Sequence, residues 1–151
     1  MREYLESFNS NDIALGLLRV FIGAALLLKG LNFMFNMHEL YDLTAQTLPF
    51  SSLMIAHYIV FAHVIGGFCL MIGLLTRTAA LSNLPVILGA IFFVHAQEGL
   101  FSSGQGLELT IMLAMILCVF GYAKSKFLSV DFYLDQRIEQ PKRKSLVGNF
   151  I

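Results

Sequence analysis

The sequence predicts an all-α, polytopic membrane protein: a four-transmembrane-helix bundle with both termini cytoplasmic. Three observations predict it. Of 151 residues, 57% are hydrophobic and 13% charged, about half the charged fraction of roughly 25% in a soluble domain. Four apolar stretches approach or exceed the roughly 20 residues a spanning helix needs. Lys and Arg are excluded from two of the connections and crowded into the C-terminal tail. The ten basic and ten acidic residues balance to zero, which hides that asymmetry. No basic face suited to nucleic acid appears, and no separate soluble domain fits. Any chemistry must lie in the membrane, at its surface or on a partner.

Residues 1–12 read as a short cytoplasmic segment. Arg2 is offset by Glu3, Glu6 and Asp12, so there is no basic leader, and the apolar stretch that follows reads as a retained first helix. The membrane domain spans residues 13–123. Its helices are expected at Ile13–Phe35, Leu53–Leu75, Thr78–His95 and Leu107–Ala123. Pro85 lies inside the third and should kink it, because proline removes one backbone hydrogen bond. Helices two and three are joined so tightly at Thr76–Arg77 that they form an antiparallel hairpin. The connections 36–52 and 96–106 hold no Lys or Arg, and the positive-inside rule therefore puts them outside. Residues 124–151 form a basic cytoplasmic tail. Within it, Ser129–Ile138 suits a short interfacial helix with Ser129 as N-cap, and Lys142–Lys144 suits anionic lipid.

Gly16, Gly23 and Gly30 recur every seven residues on helix one, and Gly66 and Gly73 on helix two. Small residues at this spacing let helix backbones approach closely. Cys69 and Cys118 lie in apolar runs with no CxxC or zinc-ligand spacing, and read as small buried hydrophobes.

The candidate functional residues are the ionisable groups inside or at the ends of the apolar stretches, since bilayers make such residues costly. Arg19 shares a face with Gly16 and Gly23, at i−3 and i+4. It reads as an inward guanidinium for a carboxylate or a carbonyl-bearing ligand, or as a residue snorkelling to the headgroups. Lys29 shares a face with Asn32 and Asn36 near the outer end of helix one. His63 lies deeper than the interfacial His57. His95 and Glu98 close helix three, and Glu108 opens helix four. The topology is expected to gather His57, His63, Lys29, His95, Glu98 and Glu108 in the outer half of the bundle. There they would bind a polar head group, relay protons, or form a structural ion-pair network. No metal site, haem or flavin motif is evident.

The chain resembles the DoxX/DoxD family of four-helix membrane proteins. The residues that carry the resemblance begin with Gly16-Leu17-Leu18-Arg19 and Lys29-Gly30. Next come Gly66-Gly67 through Gly73-Leu74-Leu75-Thr76-Arg77, His95, Leu107-Glu108-Leu109 and Leu128-Ser129-Val130-Asp131. It spans roughly residues 13–134. It implies a bacterial inner-membrane protein near redox chemistry, with Arg19, Lys29, His95 and Glu108 on polar positions of the pattern. Known relatives include the membrane subunits of thiosulfate:quinone oxidoreductase. The sequence departs at His63, where the pattern leads to an acidic residue. The leading expectation is a quinone-linked redox subunit whose electrons come from a partner. Lys29 or His95 would donate to a quinone carbonyl, and Glu108, His63 or Glu98 would move protons. The alternative is a non-catalytic anchor or accessory subunit, with the glycine stripes as docking faces for other membrane subunits. A small-molecule or lipid carrier is a third reading.

Overall fold

The first apolar stretch becomes α1, Ser10–Phe35, three residues longer at its start than the apolar pattern alone suggests. The computed structural model describes residues 9–47, 52–96, 99–101, 103–123, 126–134 and 137. Asn36 interrupts the helix, and its side-chain amide turns back to donate to Asn32 O at 3.0 Å. The chain then forms α2, Met37–Thr47, in the connection expected to be plain loop. Leu40 and Thr44 bury one face of α2, while His38, Glu39 and Asp42 stay exposed. The second apolar stretch gives α3, Leu53–Ile72, and the third gives α4, Thr76–His95. The helix α5, Gly106–Tyr122, is apolar but shorter.

Among the described residues three helices, α1, α3 and α4, are thus long and apolar enough to cross a membrane. At 17 residues, α5 rises roughly 26 Å at 1.5 Å per residue. It packs antiparallel to α4, with Gly121 against Leu81 and Arg77 Nη2 donating to Tyr122 O at 3.0 Å. Cys69 is half-buried on α3, and Cys118 is exposed on α5 rather than buried.

The glycine stripe of α1 packs within the chain. A Cβ at Gly23 would meet Met71 Cα at 2.6 Å and Gly67 O at 2.8 Å. A Cβ at Gly30 would meet His63 Cβ and Val64 N at 2.8 Å. These contacts lay α1 antiparallel on α3 and fix their register. Gly66 turns the other way, against Asn83 of α4. The apolar core draws on every long helix: Ile22 and Leu26, Leu70, Ala79, Ala80 and Ile87, and Ala114, Leu117 and Phe120. It thins toward the end of the bundle that carries α2. No residue of Ala90–His95 is buried, and α5 is buried only from Ala114 onward.

The opposite end is tied by a clasp. Arg19 is fully buried, and its Nη2 donates to Phe127 O at 3.1 Å and Leu128 O at 2.7 Å. Gly73 holds φ +72° with a Cβ position that the Arg19 guanidinium occupies, so glycine is required there on both counts. Leu75, at φ 49°, is a left-handed residue that costs a non-glycine roughly 1–2 kcal/mol. Asp131 offsets that strain by accepting from Leu75 N at 2.9 Å and Thr76 N at 3.2 Å, which also caps α4. Ser129 Oγ donates to Gly73 O at 3.1 Å. A short helical turn follows at 130–134. The rest of the expected tail helix, save Arg137, and the Lys142–Lys144 cluster lie outside the described residues.

Candidate functional site

The candidate residues do not converge at one place. Arg19 belongs to the clasp, at the level of the α3–α4 turn. Two backbone carbonyls and the nearby Asp131 charge engage it, while Nε and Nη1 are buried without a hydrogen-bond partner among the described residues. Glu108 and His95 lie at the opposite end. Glu108 Oε1 accepts a hydrogen bond from Phe101 N, which draws Phe101 onto the start of α5. Glu108 Oε2 is buried with no hydrogen-bond partner among the described residues. His95, half-buried, ends α4. Glu98 lies outside the described residues.

Lys29 and His63 form a separate level. Gly30 touches His63 and Val64, so Lys29 is level with His63. His63 is near the midpoint of Leu53–Ile72. Lys29 keeps its expected place near the outer end of helix one, which closes at Phe35. The register places it halfway along α3, because α1 stops well short of the level at which α3 begins. From Asn83, level with His63, to His95 the helix rises roughly 18 Å at 1.5 Å per residue.

At this middle level the chemistry is concrete. Lys29 is exposed, facing out of the bundle, and its Nζ stands 4.9 Å from the centroid of the Phe33 ring one turn on. This is a cation–π arrangement. Among the described residues no carboxylate pairs with it. The Phe33 ring meets the His63 imidazole edge-on, with centroids 5.8 Å apart. His63 is buried, at 3% exposure. Its Nδ1 is buried without a hydrogen-bond partner among the described residues. Amine, aromatic ring and imidazole therefore follow one another from the outer face of α1 into the bundle. Asn32 and Asn36 extend the exposed polar face, joined Nδ2 to Oδ1 at 3.1 Å. His57 is spent locally, its Nδ1 2.7 Å from Leu53 O.

The sequence reading missed Asn83, which is completely buried and donates through Nδ2 to Ala62 O at 2.9 Å and Ala79 O at 3.0 Å. The available signal was an Asn inside an apolar helix, a residue type that seeks partners across helices in membranes.

A protein-family model, DoxX, matches residues 14–96, more than half of the chain. The chain belongs to the DoxX family. The match takes in Arg19, Lys29, His63, Asn83 and His95 of this DoxX protein, and stops before Glu108 and Asp131. It is shorter than the 13–134 span of the resemblance drawn from the motifs. No curated protein and no solved structure matches the chain.

Proposed function

We propose that this DoxX protein is a quinone-linked redox subunit of a bacterial inner membrane, working with a partner that supplies electrons. In this reading α1, α3, α4 and α5 all span the bilayer. Both termini are cytoplasmic, in keeping with Arg77 at the clasp end and the excess of Lys and Arg in the sequence after Ala123. One observation supports the functional part: Lys29 faces outward level with the middle of α3 and no carboxylate among the described residues pairs with it, and inside a bilayer such an ammonium is costly and calls for a partner.

A quinone fits that position. It is a flat ring delivered by the lipid phase, with carbonyls that need hydrogen-bond donors and a reduction that takes up protons. Lys29 donates to a carbonyl and Phe33 offers its ring as a stacking face. His63, behind Phe33, holds a proton at a ring nitrogen. Glu108 and His95, half a span away, serve the outer end of a proton route rather than the ring itself. The accessory-subunit reading loses its main support, since Gly23, Gly30, Gly66 and Gly67 are consumed inside the bundle.

Native mass spectrometry of the protein, gently extracted from its own membrane, tests the proposal. Near-stoichiometric quinone on the wild type, lost in Lys29→Met, is the expected result. A protein partner with no quinone on either form would sink it and restore the accessory role.

A further inference from the structure

We infer that Asn83 is a positioning residue that sets the orientation of His63, an inference that rests on the quinone reading only for its consequence in binding. The backbone of α3 changes character at Ala62–Gly66, where the turn widens to π-helical hydrogen bonding. Such a turn inserts one residue into the helix and rotates everything after it. Such turns recur at functional positions. His63 lies inside this turn.

Asn83 meets the turn from α4. Its Nδ2 bridges Ala62 O, the first residue of the widened turn, and Ala79 O of its own helix. The amide is pressed onto Gly66, the last residue of the same turn. A Cβ at Gly66 would occupy the place of Nδ2 and lie 3.4 Å from Asn83 Cγ. Both ends of the π-turn are therefore held by one side chain, and glycine at 66 is the condition for its approach. The residue between those ends is His63. Its Cβ is fixed from the other side by Gly30, and its ring by Phe33. With the turn relaxed to an ordinary α-helix, residues on one side of it would rotate by about 100° relative to the other, since one residue per 3.6-residue turn is removed. His63 would then leave its edge-on contact with Phe33. Asn83 Oδ1 is buried without a partner among the described residues, so the amide is retained at a desolvation cost that a purely apolar helix contact would avoid.

The test uses the full-length protein in lipid nanodiscs with its histidines labelled by ¹⁵N. Two variants are compared with the wild type. Asn83→Leu removes both hydrogen bonds. Asn83→Thr keeps a donor for the carbonyl four residues back, but is too short to span to α3. A His63→Gln sample assigns the resonances. Both variants should move the His63 ring nitrogens while His57 and His95 stay at their wild-type shifts. Unmoved His63 signals in a folded sample of either variant overturn the inference.

A second readout measures decylubiquinone binding in a double-mutant cycle. Asn83→Leu should weaken binding about tenfold alone and less than about twofold in the His63→Gln background, the signature of coupled residues. Additive losses would mean that Asn83 acts independently of His63, which also overturns it. If the wild type binds no decylubiquinone, the quinone reading falls, and the nitrogen shifts still decide the positioning role.

Discussion

Replacing Gly23 with alanine should loosen the contact on which the bundle is built. The added Cβ would lie 2.6 Å from Met71 Cα and 2.8 Å from Gly67 O, where apolar atoms prefer about 3.5–4.0 Å. The obstacles are backbone atoms, so no flexible side-chain end can yield. α1 and α3 must instead separate by roughly 1 Å, a gap that forfeits a quarter to a half of each dispersion contact across the seam. Overpacking of this kind costs about 1–3 kcal/mol, and the rigid obstacles argue for the upper part of that range. Alanine returns up to about 1 kcal/mol of helix propensity over glycine. The net expectation is a loss of about 2 kcal/mol, or roughly 30-fold in the unfolding constant.

Gly89 provides the control. It too is helical, with φ −57°, and a Cβ there meets nothing within 4 Å. Gly89→Ala should therefore be neutral or stabilise by about 0.5–1 kcal/mol. Reversible unfolding in mixed micelles, with SDS as denaturant and circular dichroism as the signal, gives both values. If Gly23→Ala unfolds at or above the wild-type SDS fraction, close backbone approach is not what holds α1 on α3.

Asp131→Ala should weaken the clasp by about 1 kcal/mol, as a lost N-cap contribution, seen as earlier unfolding and faster proteolysis of the tail. Wild-type behaviour would show that Asp131 does not restrain the left-handed Leu75. Lys29→Met should lower quinone affinity by at least about tenfold, the equivalent of one charged hydrogen bond, with unchanged unfolding; equal affinity removes Lys29 from the site. Glu108→Gln keeps an acceptor for Phe101 N, so hydrogen exchange at residues 99–105 should match the wild type, whereas Glu108→Ala should accelerate it. Under the proton-route reading Glu108→Gln also lowers the quinone-dependent turnover rate without changing quinone affinity. An unchanged rate would confine Glu108 to holding the connection.

The helices were legible because their signal is local. An apolar run of spanning length reads the same way in any fold, and a seven-residue glycine period already marks a packing face. The helix α2 was also within reach. Met37, Leu40, Tyr41 and Thr44 follow the i, i+3, i+4, i+7 spacing of one helix face, and Leu40 and Thr44 turn out buried. The pattern was obscured by the charged residues between them.

The arrangement of the candidate site belongs to tertiary structure. Sequence order says how far each residue lies from the end of its own helix, but not where that helix sits relative to its neighbours. Glycines 23, 30 and 67 decide that, by allowing α1 to approach α3 at only one register. They set Lys29 level with the middle of α3 and part it from Glu108 and His95. The clasp joins Arg19, Gly73 and Asp131 across more than a hundred residues, and no local pattern links them. The π-turn is hidden for the same reason. Its single extra residue barely disturbs the apolar periodicity of α3, and it persists because Asn83 reaches it from the next helix. By itself the sequence determined that this chain forms apolar helices and which residues on them are polar. Only the packing of backbone against backbone decided which of those polar residues meet.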